Sequence, residues 1–157
     1  MELYDWLLAV HVLSAFAWIA AMVLYSVVIA AGWRLTVPSD VVRMFRVARV
    51  GDPLIAVGMV GTIVFVIWLA LDQYEIWDGW IIAALVLWLA GAAIGGQVGK
   101  VYNGARDRAR ALVDEGRDAS SPELSAMLRS QRGLFFHVLS ILIVLALLTV
   151  MIYKPGA

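Results

Sequence analysis

The sequence predicts an all-α membrane protein, a bundle of four transmembrane helices with a helical hairpin standing outside the bilayer. Three observations predict it. Apolar residues make up 63% of the 157 positions and charged residues only 15%, too little polarity to cover a globule in water. The apolar residues gather into four continuous runs, each long enough for a hydrocarbon core of ~30 Å, which takes about 20 helical residues. The charges gather in the segments between those runs and at the ends of the runs. A transmembrane barrel would instead show short alternating segments. The first partner implied is therefore the lipid bilayer.

Composition also excludes chemistry. The chain has no cysteine, which removes disulfides, iron–sulfur clusters, thiolate metal sites and cysteine nucleophiles. The formal net charge is zero and no long basic tract occurs, so nucleic acid is not expected as a partner. Glu2 and Asp5 stand where a cleavable signal peptide needs positive charge, and the run behind them is too long for one. The first segment is expected to stay in the mature protein.

The first run covers about residues 4–32, with Tyr4 and Trp6 at one end and Trp33 at the other, the aromatic-belt pattern of a spanning helix. A connector follows, in which Pro38, Ser39 and Asp40 mark a helix start. Over residues 39–50, Val41, Val42, Phe45 and Val50 share one side and Arg43, Arg46 and Arg49 another. The pattern predicts an interfacial helix with its apolar face in the lipid boundary.

The second run covers about residues 52–71 and opens with Gly51-Asp52-Pro53, where Asp52 can cap free amides and Pro53 fits the first turn. An acidic loop over residues 72–78 is bracketed by Tyr74, Trp77 and Trp80. The third run, about residues 77–99, keeps its helical pattern through Ala105, Ala109 and Leu112 to about residue 115, where Gly116 ends it. Ser120-Ser121-Pro122-Glu123 has the form of a capping box. The helix from about residue 121 leads into the fourth run, about residues 133–153. Residues 100–132 thus form the hairpin, a surface for a protein partner.

Orientation follows from basic residues. Arg34, Arg43, Arg46 and Arg49 lie in the first connector, and Lys100, Arg106, Arg108, Arg110, Arg117, Arg129 and Arg132 in the third. The second loop has none, and the tail has Lys154 alone. In a bacterial inner membrane both termini are then expected outside, with residues 34–52 and 100–132 in the cytoplasm.

Few residues in the runs can carry chemistry. Gly91, Gly95 and Gly99 make two GxxxG steps on one helix face, a place where another helix backbone can approach closely. The approaching surface is either a helix of the same bundle, with Ala17 and Ala21 as candidates, or a second copy of the chain. Gln97 is expected to make an interhelical hydrogen bond. His11, with Ser14 and Trp18 on its face, and His137, with Ser140 one turn on, are the ionisable residues inside runs. Such residues must be paired or hydrated and are functional candidates; the bland reading is a ring bonded to a serine or backbone group. As a pair they do not suit one haem, because their positions predict a height difference on the order of 15 Å. Haem held by His11 alone, or with a weaker second ligand, stays open. No serine–histidine–acid set, paired intramembrane carboxylates or phosphate-cradling loop is present. Met22 and Met59 lie outside any clustered methionine motif.

The stretch from His11 through Trp18 to Tyr25, His-Val-Leu-Ser-Ala-Phe-Ala-Trp-Ile-Ala-Ala-Met-Val-Leu-Tyr, resembles the opening helix of several small bacterial membrane families. These are the CopD-type copper-resistance membrane domain, the HemJ-type protoporphyrinogen oxidases and the integral membrane family named domain of unknown function 2269. The last is similar over most of the chain: a basic connector, Asp52-Pro53 opening a helix with Gly58 and Gly61, a tryptophan-rich turn and a glycine-rich third helix. The resemblance implies a haem- or metal-linked membrane protein. The chain departs from HemJ-type enzymes in lacking an intramembrane lysine, since Lys100 sits at the margin, and Ala20 and Ala21 replace the glycines expected after the tryptophan.

Three functions compete on these grounds. One is a non-enzymatic accessory or scaffold bundle, resting on the sparse polar interior, the glycine face and the hairpin. The second is a haem- or metal-linked redox protein with His11 as ligand. The third is a small oligomeric transporter, for which no charged residue lies deep in a run.

Overall fold

Apolarity on all sides makes the longest elements helices that need lipid around them. In a computed structural model, which describes residues 3–73 and 77–154, six helices follow one another: α1 (Leu3–Gly32), α2 (Pro38–Ala48), α3 (Gly51–Gln73), α4 (Gly79–Asp114), α5 (Pro122–Leu128) and α6 (Gln131–Tyr153). Glu2 and Tyr74 lie outside the described residues. Four helical stretches are long and apolar enough to cross a membrane, so the chain is a multi-pass, all-α membrane protein. Large apolar side chains such as Leu13, Phe16, Val57, Val86 and Leu142 face outward, as lipid-facing residues must.

The bundle is two helix pairs. On α1 the buried residues Leu7, His11, Ser14, Trp18 and Ala21 recur every three or four positions, and this stripe lies along α3. The close approach depends on α3 glycines. A Cβ at Gly58 would stand 2.6 Å from the Trp18 backbone nitrogen, and one at Gly61 would stand 2.8 Å from Ser14 Cβ. Neither distance is tolerable, so the small-residue seam that holds helices together in lipid runs along α3. The second pair is α4 with α6. Between the pairs α3 and α4 scarcely meet; the Trp88 indole N–H, donating to the Met59 carbonyl at 3.2 Å, is a link there.

At 36 residues, α4 is about 54 Å long and outruns a ~30 Å hydrocarbon core. Its far end builds a second core with α2 and α5, where Val41, Phe45, Ala105, Ala109, Leu124 and Leu128 are all buried. This corrects the expectation for α2. Val41 is 0% and Phe45 7% exposed, so the apolar face of the connector helix packs against protein rather than lipid. The hairpin presents apolar surface complementary to that face. Val50, expected on the same side, is 64% exposed, because the helix has ended at Ala48.

The helix ends explain the turns. Gly116, at φ +71°, closes α4 with the Arg117 N–H donating to Leu112 O at 2.8 Å and the Gly116 N–H to Val113 O at 3.0 Å. That pair of bonds is a Schellman motif, which needs the left-handed residue glycine supplies. The capping box forms only by half: Ser121 Oγ accepts from Leu124 N, while Glu123 turns to Arg108, with bonds of 2.9 and 3.1 Å. The fourth arm is interrupted too. Arg129 ends α5, and Ser130 starts α6 by accepting from Gly133 N at 3.2 Å. Nor does Asp52 act as an N-cap. It sits inside the first turn of α3, and its carboxylate accepts the Tyr25 hydroxyl. The N-cap of α2, Val37, has no capping side chain; Asp118 from the α4–α5 turn accepts the Ser39 N–H at 2.8 Å instead.

Candidate functional site

The gap between the two helix pairs is a cavity of about 350 Å³. Its depth is mostly apolar, walled by Trp18 and Met22 of α1, Met59 of α3 and Gly91 and Gly95 of α4, with Ser140 and His137 of α6 on the same wall, while Met44, Phe45 and Ala48 of α2 border its other end. Three methionines on the wall give it an adaptable lining. Near α2 the wall turns polar, with Tyr25, Arg49, Asp52, Asn103 and Arg106. Arg106 also pairs with its neighbour Asp107 at 2.9 Å. Arg49 has no carboxylate within ion-pair distance among the described residues.

Within one chain the glycine face of α4 packs at Gly91 and stays open beyond it. A Cβ at Gly91 would meet Ile143 at 3.4 Å, ordinary contact, but one at Gly95 or Gly96 would meet nothing within 4 Å among the described residues. At Gly99 the one neighbour in that range is Asn103 of the same helix, at 3.8 Å. Ala21 is fully buried but against other surfaces, since neither it nor Ala17 approaches those glycines. Within one chain Gly95 and Gly99 therefore keep space open. Gln97, on the same helix, makes no hydrogen bond to another helix among the described residues.

The two histidines are held apart. His137 reaches Ser26 of α1, 2.8 Å from Nε2 to Oγ. Ser26 spends its own proton on the Met22 carbonyl at 2.8 Å, so its oxygen accepts from His137 Nε2–H. His11 Nδ1 lies 3.2 Å from the Thr62 carbonyl, an atom that can only accept. That bond puts the proton on Nδ1 and leaves Nε2 with a lone pair. The partners at positions 11 and 26 of α1 are about 22 Å apart along the helix axis. One planar group cannot take both rings as axial ligands.

Thus Trp18, His137, Gly91, Gly95 and Gly99 share the central cavity, and His11 does not. It borders a second cavity, about 330 Å³, together with Tyr4, Leu8, Phe16, Trp80 and Met151. Ser14 belongs to neither: it donates to the Val10 carbonyl at 2.8 Å and packs on Gly61. Among the described residues no group of three or more His, Cys, Asp or Glu side chains gathers as a metal site. The polar residues of the central cavity escape sequence reasoning in an informative way. Arg49 and Arg106 are visible as orientation charges and Asp52 as a cap, but helical periodicity cannot bring residues from three separated segments together. Comparison with protein-family models, curated proteins and solved structures finds no match to this chain.

Proposed function

We propose that this protein is a non-enzymatic membrane bundle that holds an amphiphilic molecule between its two helix pairs. The observation that carries it is the cavity's two-part wall, mostly apolar from Trp18 to Gly95 and charged from Arg49 to Arg106. Small-molecule sites are concave and mostly apolar with a few convergent polar groups. Native mass spectrometry of protein released from micelles tests it. The wild type should carry one amphiphile per chain, and Gly95→Leu, which fills open space, should lose it. Bare wild-type protein, or a variant that keeps the adduct, overturns the reading.

A second reading, haem on His11, has its own observation. The Thr62 carbonyl fixes the ring so that Nε2 is free to coordinate, the second-sphere arrangement common to metal-bound histidine. The residues present fit one axial ligand, and Met151 on the same wall is a candidate for a weaker second one. Bound haem would supply one-electron transfer; the chain's own part is to orient the ring and keep water out with Leu8, Phe16 and Trp80. The resemblance of the first helix to CopD-type and HemJ-type proteins supports this reading. A Soret band in protein from haem-replete cells, lost in His11→Ala and retained in His137→Ala, is the expected result. A colourless preparation sinks the idea.

For orientation we place both termini outside a bacterial inner membrane. Eleven of the twelve basic residues lie at the α2 and hairpin end, the bias that sets the cytoplasmic side. The hairpin, with its exposed charges, is then the surface offered to a cytoplasmic partner.

A further inference from the structure

The polar end of the central cavity says more about its occupant than that it is amphiphilic. We propose that the ligand is a single-chain lipid with a phosphate head, the phosphate lying between Arg49 and Arg106 and the chain running toward Trp18. This rests on the amphiphile reading above and names its chemical class.

Charge carries the head. Of the wall's ionic groups, Asp52 accepts the Tyr25 hydroxyl, and Arg106 engages Asp107 through Nε alone, which leaves its terminal nitrogens. Arg49 has no ion-pair partner among the described residues. With Asp52 in the wall and Asp107 beside it on Arg106 Nε, the donors left over are the guanidinium of Arg49 and the terminal nitrogens of Arg106, and the guanidinium fork suits phosphate oxygens. Asn103 adds an amide donor one turn from Arg106.

Length and width carry the tail. From Gly99 to Gly91 the α4 wall spans about 12 Å along the axis, close to the ~15 Å of one leaflet, half of a ~30 Å core. The volume of about 350 Å³ sits at the low end of small-molecule sites, about 300–1,000 Å³, room for one chain rather than two. Entry is lateral in this proposal: Gly95 and Gly96 line the cavity, are exposed, and carry no side chain to close it. The ligand then stands as lipids stand, head at the boundary and tail inward.

The test uses the full chain in detergent and decyl phosphate brominated at the chain terminus, whose extended chain matches the tail length above, since bromine quenches tryptophan at contact and Trp18 lines the deep end. Saturable quenching is expected, absent in Trp18→Phe. Decanol with the same bromine should bind roughly tenfold or more weakly, the order of one charge-assisted contact. In the double variant Arg49→Gln, Arg106→Gln the phosphate should fall to the affinity of the alcohol, whose own binding stays unchanged and reports an intact cavity. Equal binding of phosphate and alcohol, or an indifferent double variant, overturns the head assignment and leaves the amphiphile reading standing. Displacement by inorganic phosphate at similar concentration overturns the lipid source, and equal competition by two-chain phosphatidic acid overturns the single chain. If neither probe quenches Trp18, the amphiphile reading itself fails.

Discussion

Single glycines divide this protein into places where a methyl group is forbidden and places where it is free. At Gly58 a Cβ would fall 2.6 Å from the Trp18 backbone nitrogen, and backbone cannot step aside as a side chain can. Gly58→Ala should therefore force α1 and α3 apart, a loss of about 1–3 kcal/mol or more by the usual cost of overpacking. Thermal unfolding in detergent should show a lowered Tm. Gly95→Ala is the contrasting case. A Cβ added there would meet nothing within 4 Å among the described residues, and glycine inside a helix costs roughly 0.5–1 kcal/mol relative to alanine. That variant should match or exceed the wild-type Tm; a clear drop would show that Gly95 packs against a partner. The two positions look alike as sequence, each a glycine three or four residues from another in an apolar run. Only the neighbour across the gap separates them.

Among the elements, α2 is the one whose stability is supplied from elsewhere. It begins at Pro38 with no side-chain cap of its own, and Asp118, far along the chain, accepts its Ser39 N–H. Two further bonds tie the same connector to the hairpin: Ser121 N donates to Thr36 O at 2.9 Å, and Arg129 Nε to Trp33 O at 2.9 Å. Asp118→Ala should cost about 1 kcal/mol, as loss of a cap does. Hydrogen exchange should localise the effect to α2 and spare α1 and α6. Exchange unchanged over α2 would mean that its buried face, Val41 and Phe45, holds it alone. The start of this helix is legible in the Pro38-Ser39-Asp40 pattern, and the end of α4 is legible in Gly116. The source of the cap is not, because a carboxylate 79 residues away leaves no local signal. The same holds for Asp52, which reads as a cap by position and meets Tyr25 by fold.

For the whole molecule, the prediction concerns sides of a membrane. The chain lacks cysteine, so single cysteines report cleanly. Ala119→Cys in the hairpin turn should react with an impermeant maleimide only after cells are opened, and Gly79→Cys at the opposite end should react in intact cells. The reverse pattern would invert the orientation drawn from the arginines. What the sequence by itself determined is the four spanning helices and their order: apolar runs of spanning length and the punctuation of Pro38, Gly116 and Ser121 act locally, and locally acting forces are visible in a linear pattern. The break at Ser130 between α5 and α6 is not read from that pattern. What only the tertiary structure decided is which faces meet. The glycine seam is on α3, with Gly58 and Gly61, while the glycine run of α4 borders an open cavity. His11 and His137 serve different chambers, and α2 turns its apolar face to the hairpin instead of lipid. Each is settled by close contact between segments distant in sequence. On spanning helices that are apolar on every side, no hydrophobic pattern marks which side faces protein and which faces lipid.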